Sequence, residues 1–197
     1  MIKLAITGNI AAGKSLVESL LHEEGILAID TDKIVHELLS QDKEIIEKVN
    51  NLFDTDVKDK EGKIDRKKVG DIVFNDKNKL EKLEKILHPE VKKLVEKFFQ
   101  ENKTEKILAV SVPQLYESGW EVFFDYVLLV VADDKIRIER LIKRNNITET
   151  AANKRLTAQL SQEEKAKKAD FIIDNSKDIE NTRLQLKKIL ENLTKML

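Results

Sequence analysis

Short apolar runs and longer amphipathic segments take turns along the chain. Residues 2–6 form an apolar run, a glycine-bearing loop follows, and residues 15–24 then repeat their apolar positions at helical spacing. That order reads as strand, loop and helix. Residues 26–29 bring a second apolar run close behind, and one helix is enough crossover to lay it parallel to the first. Residues 107–112, 126–131 and 171–173 predict three further buried strands. Between the second and third runs lies a long polar stretch, residues 33–106, where Ile34, Leu38 and Leu39, then Leu80, Leu83, Ile86 and Leu87, recur at helical spacing. Only residues 54–63 within it read as loop. His88 stands before Pro89 inside this pattern, where proline predicts a helix break. Five strands separated by helices predict an α/β fold: a five-stranded parallel sheet with helices on both faces, carrying residues 33–106 as a helical insertion. Trp120, Phe123 and Phe124 form an aromatic cluster expected in the core.

With 197 residues, the chain suits one generous domain or a core with a modest insertion. Its charged fraction of 36% exceeds the average of about 25%, which predicts heavily solvated helical surfaces. The 35 basic and 36 acidic residues nearly cancel, so no global field draws the protein to nucleic acid or an anionic membrane. Any polyanion it binds must meet a local cluster. The absence of cysteine excludes thiol nucleophiles, disulfides, iron–sulfur clusters and cysteine-type zinc sites. His22, His36 and His88 lie too far apart for a familiar ligand spacing. The longest apolar run, residues 126–132, is a third of a membrane span, and the amino terminus has no signal-like apolar region. A cytoplasmic protein is expected.

The sharpest chemical signal is Gly8-Asn9-Ile10-Ala11-Ala12-Gly13-Lys14-Ser15, which fits G-x-x-x-x-G-K-[ST] between a buried strand and a helix. Backbone N–H groups of such a loop curl around phosphate oxygens, the helix amino terminus adds positive potential, and a side chain at Gly13 would obstruct the approach. Lys14 then sits on the β and γ phosphates, and the Ser15 hydroxyl is offered to Mg²⁺. The second expected strand ends in Asp30-Thr31-Asp32, at the carboxyl edge where parallel sheets bind ligands. Either Asp30 or Thr31 suits a helix cap; Asp32 suits chemistry, and Asp30 suits the metal's water shell. Arg137, Arg140 and Arg144 align on one helix face, and phosphoryl transfer needs such charge in a closing lid, with Arg140 and Arg144 favoured. Tyr116 and Glu117 follow the third strand and are expected at the acceptor. A GTP switch is excluded: Asp59 to Gly62 matches D-x-x-G only in a polar loop, and N-K-x-D is absent.

Taken together, these residues resemble the dephospho-coenzyme A kinases, P-loop kinases of the nucleotide-kinase type, nearly end to end. The resemblance rests on the loop above, on GILAIDTD ending at Asp32, on Ile64-Asp65-Arg66 with Val73-Phe74, and on Leu87-His88-Pro89-Glu90-Val91. It continues through Val112-Pro113-Gln114-Leu115-Tyr116-Glu117, Arg140, Arg144, Ala158-Gln159, Ala169-Asp170 and Asp174-Asn175. It implies ATP-dependent phosphorylation of the ribose 3′-hydroxyl of dephospho-coenzyme A with Mg²⁺. It also implies a core at residues 1–32 and 104–197, a lid near 137–168, and an acceptor-binding insertion at 33–103. Carried onto this chain, it implies nucleotide contacts from Ala11, Ala12, Gly13, Lys14, Ser15, Leu16, Arg144 and Asn175. Asp32, His88, Tyr116 and Glu117 would meet the acceptor, Ser15 and Asp30 the metal. Lys14, Asp32 as base and Arg140 would be catalytic. The chain departs from the family pattern at Asn9, Ala11, Ala12, Leu16, Gln114 and Arg137. Alanine suits contacts that are mostly backbone, whereas Leu16 removes a hydroxyl near the α phosphate. A nucleoside monophosphate kinase is the alternative of similar build.

Overall fold

The computed structural model describes residues 1–197. Two compact units divide the chain: residues 1–30 with 102–197, and residues 31–101. The first unit carries all five strands: β1 (Ile2–Gly8), β2 (Leu27–Asp30), β3 (Ile107–Ser111), β4 (Tyr126–Val131) and β5 (Phe171–Asp174). Every ladder is parallel, in the order β2-β3-β1-β4-β5, so β1 is central and its carboxyl end is flanked by those of β3 and β4. Its helices are α1 (Lys14–Glu23), α6 (Asp134–Asn145), α7 (Glu149–Leu156), α8 (Gln162–Ala166) and α9 (Ile179–Lys195). Leu4, Ile6, Leu128, Val130 and Ile173 meet Val17, Leu20 and Leu21 of α1 and Leu186, Ile189 and Leu193 of α9 in one apolar cluster. Ala5, Thr7 and Leu129, on the opposite face, are equally sealed from solvent. Burial on both faces explains the near-continuous apolar runs of these strands.

The second unit is helical: α2 (Thr31–Gln41), α3 (Lys43–Asn50), α4 (Arg66–Asn75) and α5 (Lys77–Glu101). Asp42 caps α3 by accepting from the N–H groups of Glu44 and Ile45, and Asp65 caps α4 through Lys67 and Lys68. Between them the expected loop holds a single antiparallel bridge, Lys58 to Ile64, around a turn built on the Asp59 carboxylate.

Two sequence expectations need correction. No helix break occurs at Pro89, which lies inside α5. The proline removes one N–H donor and about 3 kcal/mol of helix propensity. Leu83 and Leu87 before it, and Val91, Val95 and Phe99 after it, form one buried stripe at four-residue spacing. Each such side chain contributes roughly 1.5–3 kcal/mol on burial, so the stripe outweighs the missing bond. The aromatic cluster is core only at Trp120; Phe123 meets it edge-on at 6.0 Å but stays 37% exposed. If packing rather than propensity carries α5 through Pro89, Pro89→Ala stabilises the protein by about 1–3 kcal/mol. Urea unfolding followed by circular dichroism should show the midpoint rising with the slope unchanged.

Candidate active site

The loop after β1 is shaped by three small residues, each for a different reason. A side-chain carbon at Gly8 would come within 2.5 Å of the Val130 carbonyl oxygen, so β1 and β4 can run this close only with glycine there. Gly13 has φ +106°, and a Cβ there would fall 1.9 Å from the Asn175 side-chain nitrogen. Ala11 also takes the left-handed conformation, with φ +62°. For an L-residue that conformation costs roughly 1–2 kcal/mol, which the surrounding bonds must offset. Beyond Gly13 the helix α1 starts without a side-chain cap. Its first N–H groups, at Lys14 and Ser15, are therefore donors for an anion. Lys14 is half-buried and in no ion pair, while Ser15 is exposed in the first turn.

Behind this loop lies a tier of donors. Arg140 on α6 donates through Nη1 to the carbonyls of Ala11 and Ala12 at 3.4 and 3.3 Å, and through Nη2 to Asn175 O at 2.9 Å. Asn175, immediately after β5 and 2% exposed, donates its amide to Ala12 O at 2.8 Å. Its carbonyl in turn accepts from the Thr182 hydroxyl at 3.0 Å. Arg137, only 3% exposed, donates through Nε to Ile10 O at 3.1 Å and is held by Asp134 at 2.7 Å. Ile10 N–H donates to Gln159 Oε1 at 2.8 Å, and the Asn9 amide donates to Leu160 O at 2.7 Å. The three arginines therefore do not act as one row: Arg137 and Arg140 reach the loop, whereas Arg144 is exposed and donates to its neighbour Asn145. Asn175 buttresses the loop with an amide already engaged at Ala12.

The ends of β2 and β3 carry the remaining groups singled out in the sequence. Asp30 closes β2, half-buried and in register with Ser111 of β3. Asp32 follows by two residues in the first turn of α2, and is exposed. After β3, the Pro113 carbonyl accepts from the Thr7 hydroxyl at 3.3 Å, which ties this loop to β1. Tyr116 is buried there with its hydroxyl unpartnered, and the Lys168 ammonium lies 5.5 Å from its ring centre. Burial, with the Asp170 and Glu121 carboxylates nearby, pushes its phenol up to about 12. Glu117 pairs through Oε1 with the ammonium of Lys165 on α8 at 2.8 Å. In the helical unit, His88 lines an open groove of about 450 Å³ with Glu81, Glu84, Lys85 and Pro89. No cluster of three or more histidines and carboxylates could cage a metal. Ser15 and Asp30 are oxygen donors, the class of ligand of which Mg²⁺ takes one or two from a protein while keeping substrate phosphates and waters for the rest.

Gln159 and Lys165 carry site contacts that sequence reasoning assigns to neither, and Arg137 does more than its spacing indicates. For Gln159 the only signal is its place in the family-like Ala158-Gln159 pair; Lys165 is one lysine among several in a polar run.

A family model for dephospho-CoA kinase matches residues 2–181. The chain belongs to the dephospho-CoA kinase family. A dephospho-CoA kinase from Fusobacterium nucleatum is 40% identical over 190 residues, covering 96% of this chain and 97% of that one. Another from Aquifex aeolicus is 38% identical over 195 residues, covering 99% of both. The solved dephospho-CoA kinase from Campylobacter jejuni superposes with a TM-score of 0.72 at 31% identity, over 98% of this chain and 97% of that one.

In this kinase, Gly13→Ala tests the cradle most sharply, because a methyl group there displaces Asn175 and strains φ together. ATP affinity should fall at least about 100-fold, equivalent to ~2.7 kcal/mol, while far-ultraviolet circular dichroism stays native. Calorimetric titration with ATP measures the loss.

Proposed function

We propose that this kinase divides its task among the loop after β1, the acidic end of β2 and the loop after β3, in transferring the γ-phosphoryl group of ATP to the ribose 3′-hydroxyl of dephospho-CoA. The overall reaction, ATP-dependent conversion of dephospho-CoA to CoA, is that of its family and the last step of CoA synthesis. The observation that carries the assignment of the donor end is the uncapped start of α1 behind a loop whose outward carbonyls already have donors. Backbone N–H groups of Ala11, Gly13, Lys14 and Ser15 receive the nucleotide phosphates there, while those of Ala12 and Leu16, bonded to the Asn9 and Gly13 carbonyls, hold the loop's shape beside them; Lys14 is the point charge on the β and γ groups. Ser15 and Asp30 would hold Mg²⁺. When bound, Mg²⁺ neutralises charge building on the phosphates.

At the acceptor end, Asp32 takes the proton as the 3′-oxygen attacks the γ phosphorus and the bond to the bridging oxygen of ADP breaks. Arg140 adds its positive charge from behind the loop, through the Ala11 and Ala12 carbonyls that it holds, and Arg144, exposed on the same helix, supplies charge around the transferring group. Asn175 acts on the nucleotide through Ala12. His88, Tyr116 and Glu117 contact the acceptor, and the helical unit, residues 31–101, is its binding domain. The lid lies near residues 137–168, and its moving part is α7 and α8, with Asn146 in the left-handed conformation at φ +49° marking the turn after α6 where it can hinge. Closure excludes water that would otherwise hydrolyse ATP. No helix is long and apolar enough to cross a membrane, and we place the reaction in the cytoplasm.

ADP release with dephospho-CoA, set against a panel of nucleoside monophosphates, tests the substrate: turnover should be confined to dephospho-CoA, and preference for a monophosphate would overturn the reading. Within that assay, Asp32→Asn should lower turnover by about 10²- to 10⁴-fold with ATP affinity unchanged. A loss of less than about tenfold would make the carboxylate a positioning group, since loose phosphoryl transfer demands little of a base. Asp30→Asn should instead raise the Mg²⁺ concentration giving half activity.

A further inference from the structure

Residues 159–168 run across the carboxyl edge of the sheet and touch three separate parts of it in order. Gln159 and Leu160 meet Ile10 and Asn9 of the phosphate loop. Gln162 both donates to and accepts from the Ala132 backbone, at 3.0 Å each way, just beyond β4. Lys165 then reaches Glu117 at 2.8 Å, and Lys168 covers the ring of Tyr116. Ser161 and Glu164 close a capping box that fixes the start of α8. The segment is thus anchored at both ends around Lys165.

Lys165 is fully buried, and Glu117 is its ion partner. The contact lacks the angular geometry of a hydrogen bond, so the ammonium is held by charge alone. A buried ammonium loses several kcal/mol of hydration, and an apolar side chain of similar size would pack α8 against β4 at least as well. Stability therefore does not explain this lysine; what it does fix is the direction of the Glu117 carboxylate. One carboxylate oxygen faces Lys165, and the side chain retains 22% exposure. A carboxylate so held is an acceptor-only group, suited to a hydroxyl donor.

We infer that Lys165 is a positioning residue: it orients Glu117 to accept a hydrogen bond from a hydroxyl group of the phosphoryl acceptor. The inference rests on the reading of Glu117 as an acceptor contact and extends it to a residue on the lid. Loss of the ammonium leaves Glu117 free to turn into solvent, which weakens the acceptor and not the nucleotide.

Steady-state kinetics with ATP and dephospho-CoA varied in turn test this. Lys165→Met and Glu117→Gln should each raise KM for dephospho-CoA by about tenfold or more, with KM for ATP within about threefold of wild type. In the double variant Lys165→Met/Glu117→Gln, KM for dephospho-CoA should match that of Glu117→Gln alone, because nothing remains to be oriented. If Lys165→Met does not fold, that second comparison decides, since the double variant leaves no unpaired buried charge. An unchanged KM for dephospho-CoA in Lys165→Met, equal rises for both substrates, or a further rise in the double variant would overturn the inference. Wild-type protein that turns over dephospho-CoA while Glu117→Gln leaves KM unchanged would instead remove Glu117 from the acceptor site, and the inference with it.

Discussion

A backbone loop that turns its N–H groups toward an anion must turn its carbonyl groups away from it, and those carbonyls need donors of their own. Here Ile10, Ala11 and Ala12 present carbonyls that are met by Arg137, Arg140 and the Asn175 amide. Two of the donors are guanidinium groups, whose bonds are charge-assisted and stronger than neutral ones. This second tier also stabilises Ala11 in a left-handed conformation that an L-residue disfavours. Much else in the sheet-bearing unit follows from supplying it.

Sheet order is what brings the donors together. Because β4 and β5 lie beside β1, the residues that follow their carboxyl ends arrive next to the loop. Arg137 and Arg140 come from α6, which follows β4, and Asn175 comes directly after β5. The register of Gly8 against Val130 sets how closely β4 approaches, and glycine at that position permits it. The α1 and α9 helices bury their apolar faces against the same strands, so packing of the core and placement of the donors depend on one arrangement.

Much of this is legible in the sequence, and what is not has a physical cause. Local signals carry the strands: β1, β3 and β4 are short apolar runs because they are buried on both faces, as Leu4 through Thr7 show, whereas the edge strands β2 and β5 keep apolar runs with Leu27 and Ile172 exposed. The loop is equally plain, since glycine at 8 and 13 and the Lys14-Ser15 pair are dictated by close approach and backbone conformation. Pro89 misleads because a local propensity predicts the break while a stripe of five side chains, spread over four turns, opposes it. Phe123 misleads because apolar composition says nothing about which side of the single helical turn Trp120–Phe123 faces solvent. Arg137, Gln159 and Lys165 pair with residues 127, 149 and 48 positions away respectively, as counted to Ile10 for the first two and to Glu117 for the last. No spacing rule reaches across such separations, and only the strand order discloses them. Arg144 shows the opposite failure, for a helical row aligns side chains without making them share a target.

The claim at the centre is that the phosphate loop binds nucleotide only while its outward carbonyls are held, and Asn175→Asp tests it most directly. The substitution preserves size and the Thr182 bond while replacing the donor that faces Ala12 O by a second acceptor. Calorimetric titration with ATP should show affinity falling by about tenfold or more, the equivalent of one lost bond to a buried carbonyl and the repulsion that replaces it. ATP bound by Asn175→Asp as tightly as by the wild-type protein would contradict the account.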